Sequence, residues 1–139
     1  MKTKRILVVA PHPDDETLGV GGAIAKYSKE GHEVFVMIVC GHLPPIYDSK
    51  DYEKTVKESK KAFDIMGVSS SKFLEIPATT IGSIPVHKLN SEILMVINDF
   101  KPDIVFCPFP DRHIDHRLGF GSVMVATRPI GIGRNINIL

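Results

Sequence analysis

Three unbroken apolar runs punctuate the chain, at Ile6–Val9, Val34–Cys40 and Ile104–Cys107. A short apolar run without alternation suits a strand buried on both faces. Val34–Cys40 is long enough for two helical turns, but its β-branched content favours strand. Phe73–Ile76 reads as a shorter strand between them. The segments separating these runs carry apolar residues at helical spacing. Thr17–Glu30 places Val20, Ile24 and Tyr27 at such intervals, and Gly31 follows as a stop. Lys50–Met66 carries Val56, Ala62, Phe63 and Met66 before Gly67. Val86–Phe100 carries Leu89, Ile93, Val96 and Ile97, and Leu118–Ala126 is a last helical segment. Arg128–Leu139 has the look of a lead-in to one more strand. Strands alternating with helices imply right-handed crossovers. The expected fold is α/β, a Rossmann-like three-layer sandwich with a mostly parallel central sheet.

Two of the apolar runs end in the same way. Ile6–Val9 leads into Ala10-Pro11-His12-Pro13-Asp14-Asp15-Glu16, and Ile104–Cys107 leads into Pro108-Phe109-Pro110-Asp111-Arg112-His113-Ile114-Asp115-His116. Each proline lacks an N–H and biases the residue before it away from helical angles. Both acid-and-histidine clusters therefore stand on stiff turns directly after buried strands. In a parallel sheet both leave from the same carboxyl edge, where ligands bind in open α/β folds.

Composition narrows the setting. The chain has 139 residues, 43% hydrophobic and 24% charged, which suits one globular domain over residues 1–139. A net charge of +1 gives no electrostatic case for nucleic acid or an anionic membrane. The basic Met1–Arg5 precedes an apolar run far too short for a signal peptide. No segment approaches the roughly 18 apolar residues of a membrane span. The two cysteines, Cys40 and Cys107, form neither a disulfide framework nor a compact thiolate metal site. A cytoplasmic protein is expected.

The clusters suggest a metal. His12, Asp15 and His116 supply two imidazole nitrogens and one carboxylate oxygen, a set that suits zinc and leaves a position open for water. Water bound to zinc becomes acidic near neutral pH. Asp14 and Asp15 are adjacent and can point different ways, so that one binds metal while the other takes a proton. His113 and His116, three apart, reach one pocket if the turn continues as a helix. Plainer alternatives exist. The run Asp14-Asp15-Glu16 also suits helix N-terminal acids, and capping is the default reading of Glu16. His32 and His87 read as surface residues, whereas His42 lies at the functional edge and within reach of substrate. Gly19-Val20-Gly21-Gly22 has the wrong spacing for a dinucleotide fingerprint, and the acidic turn before it repels a pyrophosphate. Those glycines read instead as close helix packing or room for a ligand.

Together the two motifs resemble the PIG-L/LmbE-like family of zinc-dependent N-acetylglucosaminyl deacetylases and related amidases. The resemblance covers most of the chain, including Gly31–Val34, Lys101–Val105 and Ala126–Pro129. It implies that His12, Asp15 and His116 hold Zn2+, a set that also accepts Fe2+. It implies that Asp14 is the general base, that His113 stabilises the oxyanion or protonates the leaving amine, and that Asp115 orients a histidine. The implied reaction removes the N-acetyl group from an N-acetylglucosamine-type amino sugar or its conjugate. Arg112 and Arg128 are candidates for an anionic part of the substrate, and equally for structural roles. Family members continue well past residue 139, so a C-terminally incomplete domain is expected. Its apolar end is an edge strand open to pairing in a homo-oligomer. The alternative function is a metal-binding but catalytically inactive truncated homologue.

Overall fold

The computed structural model describes residues 2–139. Five parallel strands form one sheet: β1 (Arg5–Ala10), β2 (Glu33–Gly41), β3 (Ser70–Pro77), β4 (Ile104–Phe106) and β5 (Asn137–Ile138). Their order across the sheet is β3-β2-β1-β4-β5. Four helices connect them: α1 (Asp15–Lys29), α2 (Ser49–Met66), α3 (Val86–Phe100) and α4 (Ile114–Ala126). This is the expected three-layer α/β arrangement. No helix among the described residues is long and apolar enough to cross a membrane.

The two-residue period of β1 divides its side chains between two cores. Ile6, Val8 and Ala10 pack with Ile24, Phe63 and Met66 from α1 and α2. Leu7 and Val9 pack with Ile93, Ile97 and Val123 from α3 and α4. Burying one such aliphatic side chain is worth roughly 1.5–3 kcal/mol. Burial on both faces therefore fixes β1 at the centre of the sheet. The chain first winds outward from β1 to β3, then returns to place β4 on the other side of β1. Such a reversal opens a crevice between the carboxyl ends of the two strands involved. Those strands are β1 and β4, the two that lead into the acid-and-histidine clusters.

Some boundaries differ from expectation. β3 starts at Ser70 instead of Phe73. Its polar start is tolerated because β3 is an edge strand, paired only with β2 and partly exposed. α4 begins at Ile114, four residues early, because His113 caps it: its Nδ1 accepts from the Asp115 amide at 3.2 Å. α1 likewise starts at Asp15, and it is kinked at Val20 (φ −135°, ψ 17°) beside Gly19. Gly21 lets α1 close on α2, since a Cβ there would lie 3.3 Å from Met66 Sδ. Gly31 and Gly67 end their helices at φ 81° and 75°, angles that cost other residues strain. The tail forms a 3-10 turn at Gly131–Asn135 and then β5 beside β4.

Candidate metal centre

The first turn is closed on itself. Cys40 N–H donates to the Pro11 carbonyl at 2.8 Å, tying the turn to the end of β2. The His12 amide donates to Asp15 Oδ2 at 3.0 Å. Asp14 precedes α1 with φ 128° and ψ −29°, a conformation rare outside glycine. Such backbone strain costs on the order of 1–3 kcal/mol. The Asp14 side chain is exposed and makes no capping bond to the helix. Glu16 is buried, and its carboxylate accepts from the Asp14 amide at 3.1 Å and from Thr17 Oγ1 at 2.8 Å. Its bonds run to the residue before the helix and to the Thr17 hydroxyl, and neither goes to a first-turn amide.

The second turn is held by Asp111. Its Oδ1 accepts from the His113 amide two residues on, at 2.7 Å, which is an Asx-turn. Its Oδ2 lies 2.9 Å from His116 Nδ1. His113 and Asp115 then start α4, and His116 falls in its first turn. The sequence pattern alone assigns Asp111 no role. The available signal was an acid placed between Pro110 and His113, the position of an Asx-turn.

The two turns meet over the crevice. His12, His113 and His116 each bring a ring nitrogen within 4.8 Å of the others. Asp15 Oδ2 lies 3.3 Å from His12 Nδ1 and 3.2 Å from His116 Nε2. The hydrogen-bond partners assign the tautomers. His12 Nε2 faces Asp115 Oδ2 at 2.8 Å, so it carries the proton and Nδ1 keeps its lone pair. His116 Nδ1 faces Asp111, so Nε2 keeps its lone pair. His113 is the reverse case. Its Nδ1 accepts from the Asp115 amide, so its proton is on Nε2 and is available to donate. Two imidazole lone pairs therefore converge on one carboxylate oxygen, an arrangement that repels unless a cation or proton lies between them. This donor set fits a divalent cation.

Asp115 is fully buried, and Oδ2 accepts from the Thr79 amide at 2.8 Å as well as from His12. A carboxylate behind a ligating imidazole fixes ring orientation and raises basicity. Burial works to lower the His12 pKa, but bonds and charge from Asp15 and Asp115 outweigh it and raise it above 6.5. Burial works to raise that of Asp15, and contacts with His12 and His116 hold it below 3.8. The Cys40 thiol is buried and next to the Asp115 charge, and both push its pKa up.

A cleft of about 620 Å³ opens beside the centre, bordered by Asp15, Glu16, Leu18, Phe109, Asp111 and His116. Leu18 and Phe109 are both 81% exposed at its rim. Other candidates fall elsewhere. Arg128 borders a separate hollow with His87 and Asn90, away from this centre. Arg112 is exposed on the second turn. His42 contacts Thr55 Oγ1 at 3.2 Å and packs on Tyr47 with ring centroids 4.4 Å apart. His87 is exposed, as expected of a surface residue, but His32 is half-buried against Tyr27 and accepts from the Lys4 amide at 3.3 Å.

Similar sequences and the same fold occur in known proteins. A diacetylchitobiose deacetylase of Thermococcus kodakarensis is 30% identical over 91% of this chain and 51% of its own length. A probable N-acetyl-alpha-D-glucosaminyl L-malate deacetylase 2 of Bacillus cereus is 29% identical over 88% of this chain and 60% of its own. The chain thus spans about half the length of the curated relatives it matches. The solved N,N'-diacetylchitobiose deacetylase of Pyrococcus horikoshii shares the fold at TM-score 0.78 and 24% identity, over 96% of this chain and 54% of that one. The family model described as PIG-L, GlcNAc-PI de-N-acetylase, matches residues 7–127, a stretch that takes in both turns and the sheet between them. The chain belongs to the PIG-L family of GlcNAc-PI de-N-acetylases.

Proposed function

We propose that this protein is a zinc-dependent hydrolase that removes the N-acetyl group from an N-acetylglucosamine-type amino sugar or its conjugate. The observation that carries this reading is the meeting of His12 Nδ1 and His116 Nε2 on Asp15 Oδ2, at 3.3 and 3.2 Å. His12, Asp15 and His116 are the proposed metal ligands, and two imidazoles with one carboxylate suit zinc while also accepting Fe2+. The deacetylase relatives support the substrate class. Unbridged Cys40 and Cys107 support a reducing, cytoplasmic setting.

A divalent cation held there makes a bound water acidic near pH 7 and polarises an amide carbonyl. The rest falls to side chains. Asp14, exposed and free of capping bonds, accepts the proton of the attacking water. His113, with its proton on Nε2, donates to the oxygen on which negative charge develops. His113 is a donor in this scheme and not a third imidazole ligand, because ligation through Nε2 would need the proton moved to Nδ1, against the Asp115 amide. Asp115 and Asp111 hold His12 and His116 in register. Water adds to the acetamide carbon, the C–N bond breaks and the nitrogen takes up a proton, giving acetate and a free amino sugar.

The test is acetate release by zinc-loaded protein from N-acetylglucosamine, diacetylchitobiose and N-acetylglucosaminyl conjugates. Release from at least one is expected. A fully zinc-loaded protein that releases acetate from none of them overturns the deacetylase reading and leaves a metal-binding, inactive homologue.

A further inference from the structure

Asp14 stands where a helix begins but does not behave as a helix cap. Aspartate is among the best N-cap residues, and its usual geometry there is extended, with the carboxylate turned back onto the amides of the first turn. Asp14 instead has φ 128° and ψ −29°, and its carboxylate makes no capping bond. Its carbonyl is pinned by the Thr17 and Leu18 amides at 2.9 and 2.8 Å. Its amide is pinned by Glu16 Oε2 at 3.1 Å. Glu16 is 2% exposed and is itself fixed by Thr17 Oγ1 on its other oxygen at 2.8 Å. A carboxylate is costly to bury, and here both of its bonds serve one turn of chain.

We propose that Glu16 is a positioning residue for the reaction: its buried carboxylate grips the Asp14 amide, keeps that residue out of cap geometry and so leaves the Asp14 carboxylate turned outward as a base. This rests on the reading of Asp14 as base given above. Without the grip, the Asp14 backbone relaxes toward the extended cap conformation and the carboxylate folds back onto the amides of Glu16 and Thr17. Glu16 borders the cleft, but both of its carboxylate bonds are to the turn itself and none is to a reacting atom in this scheme. It acts through Asp14 alone.

Two substitutions separate geometry from charge. Glu16→Gln loses the charge but can still accept from the Asp14 amide while its NH2 donates to Thr17 Oγ1. Glu16→Asp keeps the charge but is one methylene short of the Asp14 amide. Glu16→Gln should keep kcat within about threefold, whereas Glu16→Asp should lower it about 10–100-fold with little change in KM. Zinc content should stay full in both. In an Asp14→Asn background, Glu16→Asp should add no further loss, because the two residues act as one unit. A readout independent of catalysis is amide hydrogen exchange at Asp14 by NMR. Exchange should be slow in the native protein and in Glu16→Gln, and about ten-fold faster or more in Glu16→Asp. The reverse order, Gln impaired and Asp intact, overturns the proposal, as does Asp14 exchange that is equal in all three proteins. If native protein releases no acetate, the deacetylase reading falls, while the exchange measurement still decides the link between Glu16 and Asp14.

Discussion

His12 Nε2 lies 2.8 Å from Oδ2 of Asp115, a fully buried carboxylate 103 residues further along the chain. That one contact ties the turn after β1 to the first turn of α4, and it decides which nitrogen of His12 is free. Asp115→Asn removes the charge but keeps the shape. Zinc affinity is expected to fall about 10–100-fold with the fold retained, as for other partners behind a ligating imidazole. Competition with a chelating dye measures this. Unchanged affinity would remove Asp115 from the metal site.

The ligand assignment separates Asp15 from His113. His12→Ala, Asp15→Ala and His116→Ala are each expected to cut zinc content sharply, measured by elemental analysis of purified protein. His113→Ala is expected to keep its zinc while kcat falls about 100–1,000-fold, the usual cost of one oxyanion donor. Full zinc in Asp15→Ala together with loss in His113→Ala would instead make the site a three-histidine centre built from the nitrogens that lie within 4.8 Å.

Metal-free protein should show a characteristic pH dependence. The His12 pKa is raised above 6.5, so its contribution is full below that value and is lost as pH climbs through the folded value. The Asp15 pKa is lowered below 3.8, so its contribution is present above that value and is lost as pH falls through the folded one. Both contacts favour the metal-free fold most between 3.8 and 6.5. The native chain should therefore exceed His12→Gln in Tm by more at about pH 5.5 than at about pH 8 when both are chelator-treated. Zinc should reverse the trend, because it displaces the proton that pairs His12 Nδ1 with Asp15. A Tm gap that is independent of pH would mean that His12 is not paired as described.

Much of the frame was legible because its cause is local. β1, β2 and β4 are continuous apolar runs, and burial on both faces leaves no other pattern. Gly31 and Gly67 stop helices through backbone angles that sequence reports directly. The apolar pattern understates β3 because Ser70, Ser71 and Lys72 lie on an exposed edge, where apolar content is not demanded. It understates α4 because His113, an uncommon cap, starts that helix. Within the site, parallel strands implied that both clusters share an edge. The bond from the Thr79 amide to Asp115 is long-range and leaves no trace in the order of residues. Asp111 was hidden for a different reason, since its pairing with His116 depends on how the turn folds back.

The proposed reaction requires the two adjacent aspartates to do different work, one held between imidazoles and the other left exposed on a strained backbone. The direct measurement is Asp14→Asn, with zinc occupancy and acetate release determined on the same sample. We expect full zinc and a rate lowered about 100-fold or more. Acetate release at the native rate, or loss of the zinc together with the activity, would contradict the division of roles.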